Sequence, residues 1–191
     1  MANHVQNSIT VSTNEAGQAV WNKLIAILDE AKDPNAGWGM EVSLHNLFEE
    51  RPNDDELTRD WMCDNVGAKW AYAQDWDESF LNVQSAWSPV AQFAEYVSAQ
   101  ISAVDPDAIL TMTYEDEFYN FVGVARFEHG EEVFDSHIEY DELLERLRNN
   151  VSELAELWDE DEEDWTDEDA AQDLISEYIH DEVWMWQEKH S

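Results

Sequence analysis

Few residue types in this sequence are equipped for covalent or metal chemistry. The histidines are His4, His45, His129, His137, His180 and His190, and the single cysteine is Cys63. No two histidines stand three or four residues apart, so the spacing that places zinc ligands on one helix face is absent. His129 and His137 are spaced to meet across a hairpin, but a surface or packing role suits each better. Cys63 follows Trp61 and Met62 and reads as a buried hydrophobe. A nucleophilic thiolate would need positive surroundings, and the chain has 9 Lys plus Arg against 45 Asp plus Glu. No Gly-rich phosphate loop and no G-x-S-x-G elbow occurs. With 45 acids present, no single carboxylate pair stands out as an acid–base couple. No catalytic residue and no cofactor is expected.

The densest feature is "WDEDEEDWTDED" at 158–169, in which nine of twelve residues are carboxylates between and beyond two tryptophans. Carboxylates are what Ca²⁺ and Mg²⁺ take as ligands. Set as a calcium loop from Asp159, however, the run has Asp164 where a glycine must turn the chain and Ala170 where a bidentate glutamate must close it. A dedicated metal site is therefore not expected.

The formal charge of −36 would suit a solvated acidic coil, but ten Trp, seven Phe and six Tyr require a core. At 191 residues the chain is long enough for one domain with an appendage. A lone cysteine precludes an intrachain disulfide and fits a reducing compartment. The start, MANHVQNSITV, has neither basic nor apolar leader character, and no apolar run reaches bilayer length, so the cytoplasm is the expected location. Like charge argues against direct contact with nucleic acid or anionic membranes.

The elements that must position the acidic run follow from periodicity. Val5, Ile9 and Val11 mark a strand, and Ser12–Asn14 offer caps for a helix over 15–31 with Val20, Leu24, Ile27 and Leu28 at helical spacing. "DPNAGWG" at 33–39 breaks the chain. Residues 41–48 suit a strand or a short helix, and 54–62 a helix. A strand over 79–88 leads to Pro89 at a helix N1 position, with Val90, Phe93, Val97 and Ile101 on one face. Strands are predicted at 109–114, 118–127 and 133–140, the last two joined by a turn at "EHGEE". Leu143, Leu147, Val151, Leu154 and Trp158 continue as one helix, and Thr166 with Asp169 signals the cap of another, faced by Leu174, Ile175, Ile179, Val183 and Trp186.

The order of "NHVQNSITV" (3–11), "NVGAKWAY" (65–72), "AWSP" (86–89) and "FVGVARF" (121–127) resembles the YubB-type ferredoxin-like domain of plasmid- and phage-encoded proteins. That family often carries Trp-Gly-Thr-Lys-Trp where this chain has Val66–Gly67–Ala68–Lys69–Trp70. The resemblance implies a mobile-element origin and no established activity. The expected architecture is α+β. A ferredoxin-like antiparallel sheet with helices on one face spans about 1–140, and two acidic C-terminal helices over 141–191 pack on it.

If 159–169 were helical, its nine carboxylates would lie within about 16 Å, close to the one charge per about 1.7 Å of duplex DNA. The candidate partner-binding residues are accordingly Asp159, Glu160, Asp161, Glu162, Glu163, Asp164, Asp167, Glu168, Asp169 and Asp173. They would act as a DNA decoy for a basic nucleic-acid-binding host protein in defence, transcription or replication. Two other readings stand beside it: a solvated face without a partner, and an ordinary protein-interaction module whose acidity serves solubility or partner choice.

Overall fold

The computed structural model describes residues 3–32, 42–53, 56–159, 161–162 and 164–191. The predicted break at 33–39 lies outside them. An α+β fold is built on a seven-stranded antiparallel sheet, in the order β2-β3-β4-β1-β5-β6-β7. The strands are β1 (His4–Ser12), β2 (Val42–Ser43), β3 (Ala71–Trp76), β4 (Phe80–Ala86), β5 (Ile109–Asp116), β6 (Phe121–Glu128) and β7 (Glu131–Glu139). Helices α1 (Glu15–Ala31), α2 (Arg59–Asn65) and α3 (Ala91–Ser102) belong to the first two thirds of the chain, with a short 3₁₀ turn at Leu44–Leu47. The last third contributes α4 (Tyr140–Asn150), α5 (Ser152–Glu156) and α6 (Glu168–His190).

Alternation along β1 sends Val5, Asn7 and Ile9 into the main core and leaves Gln6, Ser8 and Thr10 on the opposite face. Trp21 and Leu28 of α1 and Phe93, Val97 and Ile101 of α3 complete that core. Asn14 caps α1, its side chain accepting from the Ala16 and Gly17 amides. Strand β6 is buried on both faces. Ala125 and Phe127 join the main core, while Val122 and Val124 join a second core with Ile138, Leu143, Leu147, Ile175, Ile179 and Trp186. Helices α1–α3 share one face of the sheet and α4–α6 cover the other, because β6 offers apolar side chains in both directions. The β6–β7 turn at His129–Gly130 has φ of 55° and 81°, the left-handed pair a two-residue hairpin requires.

Several elements differ from the expected ones. Strand β3 is hidden in the sequence because its inward residues are only Ala71 and Ala73, and a register shift between Ala73 and Asp75 breaks its alternation. Helix α3 begins at Ala91, so Pro89 lies outside it. The expected helix through Trp158 is interrupted at Val151, whose extended backbone separates α4 from α5. Three helices, not two, follow the sheet. Cys63 is exposed on α2, where Met62 and not the thiol turns inward. His129 occupies the hairpin turn, and His137 pairs with Asp135 at 3.1 Å instead of facing it.

A buried polar knot ties the sheet centre to the start of α3. Asn7, 2% exposed, has its amide nitrogen within 3.2 Å of the Val5 and Val83 carbonyls and the Ser85 hydroxyl, and its Oδ1 accepts from the Val90 amide at 3.1 Å. Ser85 donates to the Ser88 carbonyl at 2.7 Å, and Ser88 donates to the Gly67 carbonyl at 2.6 Å. A second clamp holds the N-terminus of α1, where the Thr13 hydroxyl and the Asn14 amide both donate to Asp105 Oδ2 at 2.7 Å.

Asn7→Ala is expected to destabilise the fold by about 3 kcal/mol, since it strands buried polar groups and leaves a void; denaturant unfolding measures it. The Thr13 hydroxyl and then the Asn14 amide lower the pKa of Asp105 below its ordinary value. Its contribution is therefore present above the unfolded pKa and lost as pH falls through the folded one. Asp105→Asn should flatten the acid limb of the stability profile, measured as midpoint against pH.

Candidate functional site

Eight of the ten candidate acids lie among the described residues; Glu160 and Glu163 fall outside them. Among the described residues the run is not helical before Glu168. Short strands β8 (Trp158–Asp159) and β9 (Asp164–Trp165) pair antiparallel, with Trp158 opposite Trp165 and Asp159 opposite Asp164. The chain thus doubles back, and the linear charge spacing expected of a helix does not hold before α6.

The cause is local chemistry. Asp159 Oδ1 accepts from the Asp161 amide at 2.9 Å and the Glu162 amide at 3.2 Å, a side-chain turn that competes with helical bonding. The indoles of Trp158 and Trp165 meet edge to face at 4.9 Å, and the Arg148 guanidinium lies 4.0 Å from the Trp158 ring centroid. Below them, the Thr166 amide and hydroxyl both donate to the Leu157 carbonyl, at 2.8 and 3.1 Å. Trp165 and Leu157 pack against the second core, which fixes the ribbon to the body of the molecule.

Not every carboxylate is equally available. Asp159 is half-buried and makes the turn, and Asp167 caps α6 by accepting from the Ala170 amide at 3.1 Å. The cap is Asp167, not the expected Thr166, whose hydroxyl is engaged with Leu157. Glu168 and Asp169 occupy the first turn of α6, where the helix dipole favours negative charge. Asp161, Glu162, Asp164, Asp167, Glu168, Asp169 and Asp173 are exposed. No Lys or Arg occurs from Asn149 to Glu188. Sequence reasoning missed Arg148, ten residues before Trp158, because only the break at Val151 and the fold-back bring the two together.

Among the described residues no three His, Cys, Asp or Glu are grouped to hold a metal ion. No described helix is long and apolar enough to cross a membrane. Compared with known proteins, the chain matches no family model, no curated protein and no solved structure.

The ribbon's rigidity should depend unequally on its tryptophans. Trp165→Ala is expected to cost about 3 kcal/mol because it opens the second core. Arg148→Ala should cost only about 0.5–1 kcal/mol, the scale of an exposed cation–π contact. Thermal unfolding ranks the two, and amide exchange at Thr166 should accelerate in both variants.

Proposed function

We propose that this chain is a non-enzymatic protein of a phage or mobile element. It acts in the host cytoplasm by binding and inhibiting a basic nucleic-acid-binding host protein, which it engages as a DNA mimic. The observation that carries the reading is the acidic ribbon and helix start described above. Seven exposed carboxylates are held on a packed scaffold, within a forty-residue stretch free of Lys and Arg. A basic groove meeting such a surface exchanges counterions as it does on DNA, which makes association fast and salt-sensitive. The fold-back changes how the mimicry works. The charges form a compact cluster at the ribbon, and regular helical spacing begins only with α6.

The ferredoxin-like reading of about residues 1–140 is part of the proposal. Its support is the strand order β3-β4-β1-β5 with two interleaved crossovers, β1–α1–β3 and β4–α3–β5. The quoted sequence motifs also contribute to one place, since Asn7, Gly67 and Ser88 share the buried knot. Strands β2, β6 and β7 extend that four-stranded unit on both sides. Exposed Trp184 and Met185 on α6, 57% and 50% accessible, favour the second reading, an ordinary interaction module.

The double substitution Asp161→Lys with Glu162→Lys changes the charge by four units at exposed turn positions and leaves the tryptophans in place. The variant should bind the host partner recovered by affinity capture more weakly, with a shallower dependence of log affinity on log salt. Duplex DNA should displace the wild-type protein from that partner. Equal affinity for both proteins at low and high salt would overturn the decoy. A loss confined to Trp184→Ala would favour the interaction module.

A further inference from the structure

A second feature lies away from the acidic ribbon. His180 is twelve residues along α6 from Glu168, about 18 Å on the helical rise, and here the helix borders the polar face of the sheet. A groove of about 360 Å³ opens between α6 and strands β1, β3, β4 and β5. Its floor is set by register: Gln6 lies beside Glu115, and Ser8 lies between Asn82 and Thr113. Trp184 and His180 line it from the helix. The size falls within the range of small-ligand sites.

The floor is unusual for this molecule. In a chain of formal charge −36 it is mostly amides and hydroxyls, whose oxygens accept hydrogen bonds. Glu115 is the carboxylate on that floor, and Asp75 is exposed at the rim. No Lys or Arg lines the groove. Glu115 is half-buried and accepts no hydrogen bond among the described residues; the titratable groups beside it are His180 and Tyr119. Burial raises its pKa above the ordinary carboxylate value and His180 opposes that only in part, so the ionised form lacks full compensation in the groove. A ligand that supplied positive charge and hydrogen-bond donors would provide it.

We propose that this groove binds an organic cation, an alkylammonium or guanidinium group, with Glu115 as counter-ion and Trp184 as aromatic wall. The donors of such a group match the carboxylate and the neighbouring amide and hydroxyl oxygens. Its charge and alkyl stem suit the face of an indole. The field of the whole chain concentrates cations and repels phosphates and carboxylates. A divalent metal is disfavoured because it takes several oxygen anions and has no use for the aromatic wall. The same chemistry could arrive as a free polyamine or as a Lys or Arg side chain of a protein. The site is separate from residues 159–169 and stands whether or not the ribbon binds a partner.

The test is a titration of the full chain with spermidine and, separately, with an N-acetylated arginine amide. Both are followed by NMR at the indole N–H of Trp184 and the ring of His180, in about 0.15 M salt to screen diffuse attraction. Saturable shifts confined to the groove, weakened at least about tenfold by Glu115→Gln, are expected. Glu115→Gln removes a half-buried charge and should fold at least as stably at neutral pH. Trp184→Ala alters an exposed position and supplies an independent second loss. Response to spermidine alone assigns the site to a free polyamine, and response to the arginine amide alone assigns it to a partner side chain. The Asp161→Lys/Glu162→Lys protein should retain the groove shifts, which separates this site from the decoy. Shifts spread over the acidic surface and unchanged by Glu115→Gln would overturn the proposal.

Discussion

The buried amide of Asn7 is the constraint on which the rest of this structure depends. It stands in the middle of β1, the central strand, between Val5 and Ile9 on the core face. A polar group at that depth is tolerable only if its bonds are made. Those bonds reach β4 through Val83 and Ser85 and the approach to α3 through Val90. A slip of β1 by one residue would turn Asn7 to the other face and bring Gln6 and Ser8 into the core. The amide therefore selects one register for the sheet centre and, through Ser85 and Ser88, one path for the segment after α2.

Around that centre, stability comes from two apolar clusters that share β6 as a wall. Little of it comes from charge pairing. Arg146–Glu142 is the one pair of a Lys or Arg with a carboxylate within bonding distance among the described residues, and it is a solvent-facing helix pair of small worth. Most acids act on the fold only through repulsion, or through local work such as the Asp105 clamp, the Asp159 turn and the Asp167 cap. Two apolar cores hold together a molecule whose surface pushes itself apart.

Strongly periodic elements were legible in the sequence. Helix α1, the apolar face of α3 and the β5–β6–β7 meander follow from repeating apolar positions and from Asn14 and Gly130 at their ends. Strand β3 was not legible, because alanine signals burial weakly and a register shift erased its period. The acidic ribbon was misread for a different reason. Its carboxylates look like a helix's solvated side until Asp159 is seen bonding to backbone amides ahead of it. Neither the Arg148–Trp158 contact nor the pairing of the groove floor with α6 could be read from sequence, since each joins residues through a fold-back or across strands.

Asp159 and Asp164 sit opposite each other across the ribbon, so closing it brings like charges together. Mobile ions shorten the range of that repulsion to about 8 Å at physiological ionic strength and lengthen it in dilute solution. The same ions govern how far the cluster's field reaches into solvent. Reach and rigidity are thus set against each other. In dilute salt the field of the cluster extends furthest and the repulsion between Asp159 and Asp164 is least screened. In concentrated salt that repulsion is weakest and the field is felt only at contact. Under the proposed function a basic partner would neutralise the pair on binding, so that partner binding and strand pairing would favour each other.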